Sequence, residues 1–378
     1  MKDRIVIVGG GIMGLATAYH LARLGAEDIT VLEKRFTGYG ATFRTGTGIR
    51  ESFGDETNIW MMRESIKMWK VLEEELDHPT EYTQTGYMFL LHTEEEVEEF
   101  KRNVSLQNSL SVPSRIISPE EAKEIVPPLN TSDVLAAAYN PEDGKANPFL
   151  VLQGYRRASL RLGVKIHEYT PVEGVVKGEK GWVVKTPRGD FTADILINAA
   201  GGWAKVLDSM VGVKSYVEPY KHQAIKTEPI KRGQINPMVV SFTHGGAYLT
   251  QDIADGGVIG GVALEEGPTF DMIPTLEYAI QVSRHFTHLI PALKYVHVIR
   301  QWAGFYAKTP DKNPVIGEVT EGYYVITGFS GHGFMFSPIA TRSLAELIVE
   351  GKTAAPLDFY DPHRFERGEL RQAAIQMG

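Results

Sequence analysis

Residues 4–35 read RIVIVGGGIMGLATAYHLARLGAEDITVLEKR, and the texture of this stretch changes three times. Ile5, Val6, Ile7 and Val8 form a β-branched apolar run that stops at Gly9-Gly10-Gly11. A helical periodicity follows over residues 12–24, Gly25 ends it, and a second apolar run, 29–32, closes on Glu33. This is a strand, a glycine turn, a helix and a parallel strand. Gly9, Gly11 and Gly14 fit G-x-G-x-x-G. The first permits a tight turn, the second lets backbone approach a pyrophosphate, and the third lets the helix sit against the strand. The anion then rests on the helix N-terminus, and Glu33 stands where a carboxylate accepts hydrogen bonds from a ribose diol. The chain holds 38 glycines, so the bare pattern recurs readily by chance. The complete strand–turn–helix–strand context is what separates an adenine dinucleotide site from a merely structural turn. At this point NAD and FAD are equally open.

The bulk numbers narrow the class. A chain of 378 residues is long enough for about two domains with a substantial core. Its 43% hydrophobic and 23% charged residues are those of an ordinary globular protein. A net charge of −8 and a pI near 5.8 argue against nucleic acid or anionic lipid as the main partner. With no cysteine there is no disulfide, thiolate metal site, Fe–S ligation or thioether-linked flavin, and no metal site is expected. No long uninterrupted apolar segment suggests a transmembrane helix, and the sequence enters a strand without a signal peptide. A cytoplasmic location is the default expectation; membrane association through an electron-acceptor partner would leave no trace of this kind.

After Glu33 a simple nicotinamide dehydrogenase continues with short βα units, but here residues 38–56 read GYGATFRTGTGIRESFGDE. Backbone N–H groups and hydroxyls of such a stretch suit phosphates or a ring system, the alternative being a plain solvent loop. Residues 57–76 read as an amphipathic helix. Thr93-Glu94-Glu95-Glu96 and Ser118-Pro119-Glu120-Glu121 open two more helices, and the acid cluster at 94–99 is a solvated helix face. Residues 148–162 are helical and 164–169 extended; 181–192 form a hairpin-like unit. A buried strand at 195–198 then enters the turn Ala199-Ala200-Gly201-Gly202-Trp203, which belongs with the first βαβ unit. Short strands at 223–227, 238–242, 247–250 and 257–262, with residues 80–140, suggest a separate mixed or antiparallel sheet. A helix is expected at 274–286. Near the end, a strand at 323–327 meets another helix through Gly328-Phe329-Ser330-Gly331-His332-Gly333-Phe334. A helix dipole aimed here favours a group that becomes negative during reaction, as a flavin ring does on reduction.

The segments GGGIMGL with Glu33, GATFRTGTGIR (40–50), EPYKHQA (218–224), NPMVVSF (236–242), WAGFYAKTPD (302–311), GFSGHGF (328–334) and DPHRFERGEL (361–370) carry a resemblance. Together they resemble the FAD-dependent D-amino acid oxidase-like family in its glycine and sarcosine oxidase branch. Within it the chain is most similar to catalytic β subunits of archaeal dye-linked L-proline dehydrogenases. The fold implied is α/β: a Rossmann-like FAD-binding domain, discontinuous in sequence (1–80, 145–215 and 300–378), plus a substrate-binding domain on a mixed or antiparallel sheet (81–144 and 216–299).

The resemblance implies noncovalent FAD. Its pyrophosphate would lie on Gly9, Gly11, Ile12, Met13 and Gly14, its ribose on Glu33 beside Lys34 and Arg35, and its adenine near Val172. Thr42, Phe43, Arg44, Thr45, Gly46, Thr47 and Gly48, with Ala200, Gly201 and Trp203, would line it. Gly304, Phe305, Tyr306, Gly331, His332, Gly333, Phe334 and Met335 would border the isoalloxazine. Arg50 matches the position that grips a substrate carboxylate, a bidentate role for a guanidinium, the alternative being an ion pair with Glu51 or Asp55. Tyr248 is a substrate-wall candidate, Lys221 and His222 are further pocket groups, and His332 is a polar contact to the flavin or to a neighbouring chain rather than a base. Ile259 stands where monomeric sarcosine oxidases carry a lysine associated with oxygen activation. Met335 replaces a basic residue, Tyr306 replaces an arginine of glycine oxidases, and Gly304 and Asn147 stand at or near flavin-linking positions of relatives.

The implied activity is oxidation of the small amino acid L-proline to a pyrroline carboxylate by hydride transfer from Cα to flavin N5. Electrons would pass to a non-oxygen acceptor through a redox-cofactor-bearing partner subunit in a hetero-oligomer, with FMN at a subunit interface. The alternatives are a sarcosine- or glycine-type oxidase releasing hydrogen peroxide, a nicotinamide dehydrogenase, and a flavin-binding electron-transfer subunit without its own turnover.

Overall fold

The computed structural model describes residues 1–264 and 267–371; the end of the last FAD-domain segment expected above, 372–378, lies outside them. A six-stranded sheet runs in the order Val315–Thr320, Tyr323–Thr327, Ile195–Asn198, Arg4–Val8, Asp28–Leu32, Lys165–His167. All neighbours are parallel except the antiparallel edge pair of Val315–Thr320 with Tyr323–Thr327. The two-residue alternation of the strands decides what each face meets. Ile5, Ile7, Ile197 and Ile326 join a core with helices Ile12–Arg23, Glu56–Leu76, Pro148–Arg161 and Gly333–Glu350. Val6, Leu196 and Val325 face the other way. They meet helix Ala204–Val211 and a three-stranded antiparallel sheet of Gly174–Lys177, Trp182–Thr186 and Gly189–Ala193. The helix starts follow side-chain chemistry: Asp55, Thr93, Ser118, Asn147 and Thr275 each accept a hydrogen bond from a backbone N–H of the first turn. In the Thr93 box the reciprocal donor is displaced by one residue, since Glu96 accepts the N–H of His92, not that of Thr93, at 2.6 Å.

The second sheet has eight strands, in the order Val298–Lys308, Glu218–Pro229, Gly257–Gly261, Ala247–Gln251, Met238–Ser241, Tyr87–Leu91, Ala136–Asn140, Arg115–Ile117. It is mixed, because Met238–Ser241 pairs in parallel with Tyr87–Leu91 while its other pairings are antiparallel. Two expectations change here. The strand read at 223–227 is a 12-residue strand, Glu218–Pro229, because its register with Val298–Lys308 sustains pairing across polar residues that carry no apolar signal. For the same reason residues 300–308 lie in this sheet. Helix Leu276–Leu289 starts two residues later than expected, at the Thr275 cap. One face packs Met88, Leu90, Val239 and Leu249 against helices Leu276–Leu289 and Pro119–Ile125. The other face presents Tyr87, Phe89, Met238, Val240 and Tyr248. Among the described residues no helix is long and apolar enough to cross a membrane.

Candidate active site

Three glycine-bearing turns sit at the C-terminal ends of adjacent parallel strands, the place where open α/β sheets form their ligand crevice. They are residues 9–11, 199–203 and 328–333. Gly9 has φ +121°, and a Cβ there would lie 2.4 Å from the carbonyl oxygen of Ala199. A Cβ on Gly14 would lie 1.8 Å from the carbonyl oxygen of Gly9, so only glycine allows the helix this close to the turn. Together the turns and the second sheet enclose a cavity of about 1020 Å³. That is at the upper end of the range for ligand pockets and suits a dinucleotide-sized group with a small molecule beside it.

At one end of the cavity Glu33 is buried, and its carboxylate accepts the N–H of Gly10 and the N–H of Arg35, each at 2.8 Å. Burial outweighs these bonds and raises its pKa. The Lys34 ammonium lies 3.3 Å from the ring centre of Trp203, and burial lowers its pKa to about 8. Val172 completes this end of the wall. The helix Ile12–Arg23 has no side-chain cap of its own; Thr42 Oγ1 accepts the N–H of Ile12 at 3.0 Å, tying the 40–50 loop to the glycine turn.

At the other end lies a cage of neutral aromatic groups. His222 Nε2 and the Tyr248 hydroxyl are 3.1 Å apart, and the His222 ring stacks on Tyr306 at 4.1 Å and 11°. Tyr87 stands on the adjoining wall. Burial lowers His222 to about 3 and raises Tyr87, Tyr248 and Tyr306, so all four are uncharged at neutral pH. Gly46 fits here because a Cβ would lie 2.7 Å from Tyr248 Cε2. His332, the residue before helix Gly333–Glu350, is also held neutral by burial, ahead of the field of Arg50.

Of the expected site residues, Gly9, Gly11, Ile12, Met13, Glu33, Lys34, Thr42, Arg44, Thr45, Gly46, Gly48, Val172, Ala200, Gly201, Trp203, Tyr248, Gly304, Phe305, Tyr306, Gly331, His332, Gly333, Phe334 and Met335 lie on the cavity wall, as do Lys221 and His222. Five lie behind it. Gly14 packs on Gly9. Arg35 gives its N–H to Glu33, and Phe43 stacks on Phe149 at 4.5 Å. Thr47, at φ +71°, donates its N–H to Thr45 Oγ1.

Arg50 is the largest departure. It is 0% exposed and points into protein: its guanidinium donates to the carbonyl of Ser52 at 2.6 Å and to His332 Nε2 at 3.2 Å. It makes no ion pair with Glu51 or Asp55; Asp55 caps a helix, and Glu51 gives its N–H to Asp143. The guanidinium lies 4.1 Å from the Phe53 ring centre, and its Nε has no hydrogen-bond partner. Burial lowers its pKa, outweighing the fields of Tyr87 and Asp143, which raise it. Ile259 is likewise off the wall, in the sheet opposite Thr250 and Lys226. Asn147 caps the helix Pro148–Arg161. The sequence reading missed Tyr87, Tyr220, Lys308 and Lys312 on the wall. The only local signal for Tyr87 was its place in an apolar strand, whose alternation alone sends it to the cavity face.

Residues 4–347 match the family model described as DAO, FAD dependent oxidoreductase. The chain is 51% identical to the crystal structure of L-proline dehydrogenase from P. horikoshii, with a TM-score of 0.94 over 98% of this chain and 99% of that one. It is 31% identical to sarcosine oxidase subunit beta of an Arthrobacter species, over 97% of this chain and 92% of the relative. Dimethylglycine dehydrogenase of Rattus norvegicus is 30% identical over 98% of this chain, which spans 46% of that protein's length.

Proposed function

The chain belongs to the DAO family of FAD dependent oxidoreductases, and from that membership we propose that it oxidises L-proline as a dehydrogenase. The observation that carries this reading is the 51% identity, over nearly the whole of both chains, with an L-proline dehydrogenase.

The residues present fit FAD. A helix N-terminus without a side-chain cap from its own N-cap residue, at a glycine turn, a buried carboxylate fixed by two backbone N–H groups, and a cavity with both a phosphate end and an aromatic end are what a flavin dinucleotide requires. Glu33 would hold the ribose, Gly9 and Gly11 the pyrophosphate, and the Gly304–Tyr306 and Gly331–Met335 segments the ring. Bound FAD supplies a hydride acceptor; the chain supplies position and solvent exclusion. The cage of His222, Tyr248, Tyr306 and Tyr87 offers hydrogen-bonding groups without charge, which suits a neutral secondary amine beside its own carboxylate. The buried Arg50 charge, behind His332, attracts that carboxylate and fixes the Cα–H toward the ring. No residue of the cage is poised as a strong base, and none is needed when a neutral amine gives up hydride.

The proposal includes a partner subunit as the route for electrons to a non-oxygen acceptor. A relative named as a β subunit of sarcosine oxidase supports a multi-subunit enzyme. FMN at a subunit interface rests on the resemblance alone, and no residue is assigned to it. The division into an FAD-binding and a substrate-binding domain is retained, with the last boundary moved past Lys308 to follow the eight-stranded sheet.

The test uses the purified chain. Acid-released flavin is identified, and L-proline, sarcosine and glycine are added anaerobically. FAD release and bleaching of the flavin band by L-proline are expected. Bleaching by sarcosine and not by L-proline would overturn the substrate, and stoichiometric peroxide under air would favour an oxidase.

A further inference from the structure

Four of the chain's 11 histidines gather around one carboxylate. Asp133 Oδ2 lies 2.9 Å from His244 Nε2, 2.9 Å from His288 Nε2 and 3.7 Å from His92 Nδ1. The His244 ring is 4.2 Å from that of His288 and 4.6 Å from that of His92, and His285 stands behind at 6.1 Å. One ligand atom each from His92, Asp133 and His244 falls within a sphere where all are within 4.8 Å of one another.

We propose that Asp133, His92, His244 and His288 form a binding site for a divalent transition-metal ion of the zinc class.

The donor spacing fits the ion. Ligands about 2.0–2.1 Å from a tetrahedral zinc are separated from each other by about 3.3 Å; the three edges from Asp133, 2.9, 2.9 and 3.7 Å, bracket that value, and His288 joins the mutually close set of His92, Asp133 and His244 through its contact with Asp133. Imidazole and carboxylate together are the donor set of zinc, cobalt and nickel rather than of calcium or magnesium. The supporting contacts are of the kind metal-bound histidines use. His92 Nδ1 donates to the Asp133 carbonyl at 3.0 Å and Nε2 accepts from the Ser241 hydroxyl at 2.9 Å; a metal at Nδ1 would replace the carbonyl contact and move the ring proton to Nε2, where Ser241 Oγ can accept it. The same hydroxyl accepts the N–H of His244 at 3.2 Å. Glu96, the nearest further carboxylate, is engaged by the N–H of His92 and the hydroxyl of Thr243 and is left outside the donor set. His92 is almost fully buried, at 3% side-chain exposure, while Asp133 and His288 are 38% and 40% exposed, so the site has a firm floor and an open mouth.

The four ligands come from four elements: the end of strand Tyr87–Leu91, the turn before Ala136–Asn140, the turn after Met238–Ser241, and the last turn of helix Leu276–Leu289. An ion here would pin them together. The turn holding His244 has Phe242 and Gly246 on its other side, and both line the cavity. The site therefore braces the substrate-side wall from behind, independently of which amine is oxidised.

The test is chelator-stripped full-length protein titrated with Zn²⁺ against a chromophoric competitor. One ion per chain is expected, with affinity falling at least about tenfold in Asp133→Asn and in His244→Ala. Co²⁺ should give the intense visible bands of a four-coordinate N/O site. No stoichiometric binding, or wild-type affinity in both variants, would overturn the proposal. Should either variant fail to fold, His288→Gln, at the open rim, is expected to weaken binding in the same direction, and its wild-type affinity would also refute the site.

Discussion

Replacing Arg50 by glutamine removes a buried charge while keeping a donor for the Ser52 carbonyl. In the structure the guanidinium stands 3.2 Å behind His332 Nε2. Adding the width of an imidazole and one further contact puts a carboxylate on the cavity side about 8 Å from the charge. At an effective permittivity of about 20, that attraction is about 2.1 kcal/mol, or roughly 30-fold in affinity. The assay is steady-state oxidation of L-proline with an artificial dye as acceptor. KM should rise by roughly this factor with a smaller change in kcat, because the charge acts on bound substrate and transition state alike. FAD content should be unchanged, since Arg50 lies off the cavity wall. A KM within about twofold of wild type would refute the role of Arg50 at the carboxylate and leave it as a positioning residue for His332. A collapse of kcat alone would point instead to misplaced ring contacts.

Two further outcomes follow from the geometry. Gly46→Ala places a methyl group 2.7 Å from Tyr248 Cε2, so the ring must shift; kcat/KM for L-proline should fall about 10–100-fold at unchanged FAD content, and a variant with normal turnover would remove Tyr248 from the substrate wall. His20 and His222 are both buried, and burial pushes each down to about 3. The unfolded chain takes up protons at these positions below about pH 6.5, whereas the folded chain does not until near 3. Unfolding free energy should therefore drop as pH falls across that window, by about 1.4 kcal/mol per pH unit for each histidine. Denaturant melts at pH 7, 6 and 5 measure this slope, and His20→Gln should flatten it; an unchanged slope would show that His20 is protonated in the folded protein.

The parts of the fold that are local in sequence were readable there. The turn at Gly9–Gly10–Gly11 and the helix caps at Thr93 and Ser118 depend on residues only a few positions apart, so composition and spacing are enough. The length of strand Glu218–Pro229 was not readable, because its outer half is held by a partner 82–90 residues downstream rather than by its own apolar pattern. Tyr87 reached the cavity by strand alternation, a signal that shows which face a residue takes but not what that face meets. Arg50 illustrates the converse: spacing within GATFRTGTGIR located the residue, but the direction of a long side chain is decided by packing against Phe53 and Phe89 and by His332, which comes from the other end of the chain. The histidine cluster has no spacing motif at all, since its members are gathered by four separate elements.

The strand order of the six-stranded sheet also bears on how the protein is made. Ile5 pairs with Ile195, and Leu196 in turn pairs with Tyr323. At a synthesis rate of about 5–20 residues per second, the first strand leaves the ribosome roughly 10–40 s before that partner exists. For that interval an apolar edge is open on the nascent chain, a template for wrong pairing that a chaperone would have to shield. The crevice is complete only when the turn through His332 has emerged, long after the first strand. Cofactor loading thus waits on that turn, and the ligand that arrives then binds only the assembled crevice and draws its final assembly forward by mass action.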